Sequence, residues 1–170
     1  MESHNFLQIL KDEFAFLESD FCFILSKEKI EKWGFELLYK NPSTGVKIIY
    51  ETHHAYITIF LYRLINDEII ENPRIIDKNV ELNCFALDDV LLLRNKASIL
   101  KPAYEYGENS KYYDKENGFK TYVSEFAKNL ASFSGDILDG DFFIFQELEK
   151  IVRKRYRKYN SPHGPHYSSN

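Results

Sequence analysis

The stretch Tyr56 to Ile65, YITIFLYRLI, restricts the possible folds more than any other part of this chain. It is rich in Ile, Tyr and Leu and holds neither Gly nor Pro, which reads as a β-strand. Side chains alternate across a strand, so Tyr56, Thr58, Phe60, Tyr62 and Leu64 share one face. Ile57, Ile59, Leu61, Arg63 and Ile65 share the other. Both sets are largely apolar. The stretch is therefore expected as a central strand, covered on both faces or covered on one and half-covered on the other.

Neighbouring strands are legible upstream. Trp33 to Lys40 alternates Phe35, Leu37 and Tyr39 with Glu36, Leu38 and Lys40. Asn41-Pro-Ser-Thr-Gly45 is a turn, because Pro presets φ and Gly tolerates positive φ. Val46 to Glu51 then runs back, which predicts a β-hairpin, and Thr52-His53-His54 connects it to the central strand. Short strand pieces are expected at Ile69-Ile70, at Arg74-Ile75-Ile76 and at Val80 to Phe85. Phe21 to Ile30 is ambiguous, strand-like over FCFIL and polar beyond.

Helical spacing marks both flanks. Phe6, Leu10, Phe14, Leu17 and Phe21 recur every three or four residues and predict a helix over 5–20. Leu87 to Arg94 is a short helix with Asp88 and Asp89 at its start and Arg94 at its end, a charge order that suits the helix dipole. Residues 95–117 are irregular, broken by Pro102, Gly107, Asn109 and Ser110. Phe119, Tyr122, Val123, Phe126, Leu130 and Phe133 stripe a helix over 118–133, with Ser134-Gly135-Asp136 expected to end it. Asp139-Gly140-Asp141 opens a last helix whose buried face holds Phe142, Phe145, Leu148, Val152 and Tyr156. The expected fold is α+β: an antiparallel sheet of about four or five strands with N-terminal and C-terminal helices packed against it. Residues 1–159 are expected as a single domain and 160–170 as a flexible tail.

Charge is unevenly placed. The first 150 residues hold all 26 acidic side chains against 17 Lys and Arg, a net −9, and the last twenty carry 5 Lys and Arg and no acid. An acidic body argues against nucleic acid as its partner and suits a basic protein. The N-terminus lacks a basic segment followed by an apolar core, and no run approaches the ~18 apolar residues of a membrane span. A cytoplasmic protein with no membrane association is expected. Cys22 and Cys84 both sit in apolar runs and read as reduced core thiols.

Few residues suggest chemistry. Asp136 and Glu147 have calcium-loop spacing, but Leu138, Gly140 and Asp141 occupy positions where that loop needs oxygen ligands or Gly. The acids read instead as a turn and helix cap. His53 and His54 point opposite ways in an extended segment; one of them with Glu51 could form an acid–base site, but no third partner is evident. Walker, dinucleotide-binding, nucleophile-elbow and zinc-protease motifs are all missing, so neither a cofactor nor a metal nor a catalytic residue is assigned. Arg153 to Tyr159 is a basic cluster interleaved with tyrosines, which reads as an RNA-binding element or as helix-terminal cations.

The irregular segment is the best binding candidate. Tyr104, Tyr106, Tyr112 and Tyr113 are interspersed with Glu105, Glu108, Asp114 and Glu116. Tyrosine offers a large contact area at low entropic cost, and the carboxylates would steer a cationic partner. The plainer reading folds these tyrosines back onto the core.

The layout of WGFELLYKNPSTGVKIIYE, the strand ending in Arg63-Leu64-Ile65 and the later AKNLASFSGDILDGDFFIFQELEKIVRKR resembles small bacterial proteins, many of them immunity proteins of polymorphic toxin systems. The resemblance implies a cytoplasmic, non-enzymatic binder that masks a cognate toxin domain, and it carries no catalytic residues. A body of net −9 would suit a basic toxin such as a nuclease. The alternative expectation is an RNA-binding or regulatory protein that uses the basic C-terminal helix.

Overall fold

The computed structural model describes residues 3–114 and 117–160, with side chains from residue 5 onward. In chain order the elements are α1 (Ser3–Glu13), α2 (Phe16–Phe21), β1 (Ile24–Glu31), β2 (Gly34–Lys40), β3 (Thr44–Glu51), β4 (Tyr56–Arg63) and β5 (Cys84–Ala86). Helices α3 (Leu87–Arg94), α4 (Gly118–Leu138) and α5 (Phe145–Tyr159) follow. Short 3-10 turns at Lys96–Ser98, Ala103–Tyr106 and Lys111–Tyr113 lie between α3 and α4. The strands form one five-stranded antiparallel meander in sequence order. The fold is α+β, with helices from both flanks of the chain against one sheet, as the sequence pattern predicts.

Strand register explains the layering. Leu37 pairs with Ile48, which pairs with Ile59; Tyr39 pairs with Val46, which pairs with Leu61. These residues are buried on a single face, and Phe85 continues the second row beside Leu61. Leu7 and Leu10 of α1, Phe126 and Leu130 of α4 and Leu148 of α5 belong to the same core. Phe119 meets Tyr50 and Phe145 meets Phe85 at centroid distances of 5.0 and 4.7 Å, both edge-on. Each such buried side chain contributes about 1.5–3 kcal/mol, so this layer carries most of the apolar stabilisation.

The hairpin turn is also tied to α4. The Asn41 side-chain oxygen accepts from the Ser43 and Thr44 amides at 3.0 and 2.8 Å, and its Nδ2 donates to the Leu138 carbonyl at 3.0 Å. The fully buried Thr44 hydroxyl donates to the Ile137 carbonyl at 3.0 Å. The turn thus gives the Leu138 carbonyl at the end of α4 a partner and the Ile137 carbonyl, which also accepts from the Gly140 amide, a second one.

The opposite sheet face is only half covered. Leu38, Ile49, Thr58 and Phe60 are half-buried there. Loop 65–83 closes the β4–β5 end, where Ile69 packs with Tyr62, Leu64 and Cys84. The hydroxyl of the fully buried Tyr62 donates to Glu71 at 3.0 Å, and Lys47 pairs with the same carboxylate. The Asn72 side chain bonds the Asn83 amide and the Cys84 carbonyl. The stretch 56–65 is therefore covered on one face and half-covered on the other, but β3 is the middle strand and β4 stands one place from the edge.

Several local expectations are corrected. The helix expected over 5–20 is two, because from Ala15 the amides shift to i−3 bonds, Ala15 to Asp12 at 3.4 Å and Leu17 to Phe14 at 3.0 Å. The chain tightens there while Phe14 and Leu17 both remain buried. Cys22 then adopts φ 56 at the end of α2 and is exposed, whereas Cys84 is buried; only the second is a core thiol. Residues 24–31 form an edge strand with a register irregularity between Leu25 and Lys27. The pieces expected within 69–76 are not strands, since their polar groups bind the sheet as a loop; an isolated bridge joins Ile65 to Glu68. The strand expected over 80–85 contracts to Cys84–Ala86. Helix α4 passes through Ser134-Gly135-Asp136, with Ser134 fully buried in the packing, and the chain turns instead at Gly140, φ 88. A Cβ at Gly140 would lie 2.6 Å from Ser43 Oγ. Residues 161–170 of the expected tail lie outside the described residues. Among the described residues no helix is long and apolar enough to cross a membrane.

Candidate functional site

The 3-10 turns after α3 place most of the candidate tyrosines at one end of the sheet. Tyr104, Glu105 and Tyr106 lie on the turn Ala103–Tyr106, and Tyr112 and Tyr113 lie on Lys111–Tyr113. Glu116 lies outside the described residues. The two turns touch through Tyr106 and Tyr112, whose rings meet edge-on at 4.7 Å. Tyr112 in turn meets Tyr122 of α4 at 5.2 Å. The Tyr122 hydroxyl donates to the Lys101 carbonyl at 2.7 Å, and the Lys101 amide donates to the Tyr106 hydroxyl at 3.0 Å. These bonds anchor an otherwise irregular segment on the helix. Burial raises the Tyr122 and Tyr112 phenols above their ordinary range, which keeps both uncharged.

Tyr104, Tyr112, Tyr113 and Asp114 form one wall of a cleft of about 290 Å³. The remainder is Phe6, Tyr50, Phe119, Tyr122, Ala55 and Ala103. Phe6, Tyr50 and Phe119 stack among themselves, with centroids 4.5 to 6.5 Å apart. Tyr104, Tyr106 and Tyr113 are 52%, 37% and 45% exposed, so these rings have not folded into the core; Tyr112 is half-buried. Tyr106 stands behind the wall and does not line the cleft. The Glu105 and Glu108 side chains are exposed and make no hydrogen bond or ion pair among the described residues. The Asp114 side chain accepts from the Asn117 amide at 2.6 Å, and its carbonyl accepts from the Gly118 amide at 2.9 Å. Asp114 thereby closes the turn that leads into α4.

Sequence periodicity assigned Phe6, Phe119 and Tyr122 to buried helical stripes, and Tyr50 to a strand, and so missed them as cleft walls. Their signal is position: each lies at the same end of its element as the loop.

The other candidates assemble less. His53 and His54 are both exposed, and His54 Nε2 lies 4.0 Å from Glu51 Oε2. With Trp33 they border a shallow depression of about 250 Å³, without a third polar partner. Among the described residues no cluster of His, Cys, Asp and Glu could hold a metal. Asp136 is engaged by Arg94, whose hydrogen bond holds its carboxyl below the ordinary range. In the basic helix Arg153 bonds Glu149 and the Asp77 carbonyl, and Arg155 pairs with the buried Asp89. Only Lys154, Arg157 and Lys158 of that cluster lack a partner among the described residues.

A further depression, about 580 Å³, lies near the start of β1 between Cys22, Ile24 and Pro42. Its charged groups, Lys40 and Asp67, are spent on each other. It is larger than the aromatic cleft, but the cleft combines aromatic walls with the exposed Glu105 and Glu108 nearby. No protein-family model, curated protein or solved structure matches the chain.

Proposed function

We propose that this chain is a non-enzymatic protein-binding module, an immunity-like protein that neutralises a cognate bacterial toxin by masking its active surface. The observation that carries the reading is the aromatic cleft: the exposed Tyr104 and Tyr113 line it on turns that ring contacts and hydrogen bonds of Tyr106, Tyr112 and Tyr122 anchor, and the exposed Glu105 and Glu108 carboxylates nearby have no partner among the described residues. Rigid tyrosines supply contact area without a large ordering cost, and interfaces concentrate them. The likeness of the hairpin and last-helix segments to immunity proteins supports a toxin as the partner. Internal pairing of Arg153 and Arg155 weakens the RNA-binding alternative, because it removes cations that phosphates would need.

The test is co-purification of the tagged protein with the product of the adjacent upstream reading frame in its source genome. One-to-one capture is expected, and growth should recover when that product is toxic. A Tyr104→Ala/Tyr113→Ala variant should bind about tenfold more weakly while its melting temperature moves by less than about 2 °C. No capture, or unchanged affinity in the variant, overturns the reading or its placement.

A further inference from the structure

We propose that residues 66–75 are a strap over the outer face of the sheet, latched at Glu71, that opens as a unit while the rest of the fold stays closed.

The strap is held at its two ends and by little between. At one end Ile65 and Glu68 exchange backbone bonds of 3.1 and 3.0 Å around Asn66 and Asp67, whose φ angles of 52 and 63 make a tight two-residue turn. At the other end Ile76 and Val80 pack on the main core, Leu82 is buried, and Arg153 donates to the Asp77 carbonyl at 2.6 Å. Within 66–75 only Ile69 and Asn72 are not exposed, and the segment adds no strand to the sheet. One half-buried isoleucine contributes too little to hold the whole segment, so its polar ties decide whether it stays closed.

The surface beneath is separate from the main core. Tyr62, Leu64 and Cys84 form their own apolar cluster, with Phe60 and Ile69 against it. Gly45, which pairs with Tyr62, leaves the space that Ile69 enters: a Cβ there would lie 3.3 Å from Ile69 Cδ1. Lifting the strap uncovers this cluster without parting the sheet from the helices.

The polar ties converge on Glu71. The Tyr62 hydroxyl lies 3.0 Å from both of its carboxylate oxygens, and Lys47 pairs with it while sitting 5.1 Å from the Tyr62 ring centroid. The Lys47 side chain is 16% exposed and that of Glu71 59%, so the fixed half of the latch is set into the sheet and the movable half stands at the surface. Next to it the Asn72 oxygen accepts from the Asn83 amide at 3.1 Å, and its Nδ2 donates to the Cys84 carbonyl at 2.6 Å. Water reaches all of these groups once the strap lifts, so opening strands no polar group without a partner. The open form adds Tyr62 and Cys84 to the half-covered Leu38, Ile49 and Phe60, and the strap thereby sets how much apolar surface the outer face presents.

In a Cys22→Ser protein Cys84 is the one remaining thiol. Its reaction with Ellman's reagent would be followed over hours at urea concentrations below the unfolding transition. The rate should depend on urea less than about half as steeply as global unfolding does, because opening exposes little surface. Glu71→Ala should speed labelling at least about tenfold. Val123→Ala, in the fully buried layer on the other face of the sheet, should lower the urea midpoint yet leave the labelling rate in water within about twofold, since it weakens closed and open forms alike. A urea slope as steep as that of global unfolding, an unchanged rate in Glu71→Ala, or labelling of Val123→Ala that accelerates in step with its lost stability overturns the proposal.

Discussion

Gly118 and Tyr112 approach so closely that a Cβ at Gly118 would lie 2.3 Å from the Tyr112 carbonyl oxygen. The first residue of α4 and the aromatic loop are thus packed backbone to backbone, which is how an irregular segment keeps a fixed cleft wall. In Gly118→Ala the loop must move. Alanine gains roughly 1 kcal/mol of helix propensity, but the overlap outweighs it, for a net loss of about 2 kcal/mol. Thermal unfolding should show a fall of roughly 4–8 °C, and the Tyr112 ring resonances should shift. Wild-type stability in the variant would mean that the loop has slack.

Arg94 and Asp136 tie α3 to α4 by paired hydrogen bonds, and Arg94 also donates to the Phe133 carbonyl at 2.5 Å. Because the Asp136 carboxyl is held below its ordinary value, its stabilising effect is present above the unfolded-state value of 3.8 and is lost as pH falls through the depressed folded value. Asp136→Asn should cost about 0.5–1 kcal/mol at neutral pH, a figure reduced for solvent screening at this partly exposed pair. The gap between variant and wild type, from urea midpoints, should narrow in acid. Asp88 and Asp89 run opposite: burial raises both carboxyls, so their effect favours the fold as pH falls toward the ordinary carboxylate range. They are common to both proteins and cancel in the difference. A gap that widens in acid would contradict the pairing.

Cys22 and Cys84 should separate cleanly in thiol labelling. Cys22 is exposed at the end of α2, while burial pushes the Cys84 thiol up to about 12 and loop 65–83 packs over it. Native protein should react with Ellman's reagent at one thiol, and denatured protein at both. Rapid modification of both in the native state would show that the loop opens on the labelling timescale.

The legible parts of the fold are those where local chemistry and tertiary packing agree. The hairpin was visible because Asn41-Pro-Ser-Thr-Gly45 punctuates two alternating runs, and α3 because Leu87 and Arg94 bound a compact apolar segment. The break between α1 and α2 left no trace, since Phe14 and Leu17 keep helical spacing across it. The extension of α4 was hidden by Ser134 and Gly135, which read as a stop in isolation. Inside the packed layer Ser134 is small enough to be fully buried, and a side chain at Gly135 would meet nothing. Strand β1 is mostly exposed, so its existence is decided by pairing with β2 and not by its own pattern. The loop tyrosines were legible as a binding candidate from composition; the walls behind them needed the third dimension.

The outer strands have one more consequence. Strand β1 carries Lys27, Glu28 and Lys29 beside a register irregularity, and β5 is three residues long. Neither edge offers a straight, uncharged ladder onto which another chain could add a strand. The proposed interface instead uses side chains at the end of the sheet, on a segment that takes no part in strand pairing. On the protein-binding reading proposed above, exchanging residues within 103–114 would re-address the protein to a different partner while every register of the sheet stays in place.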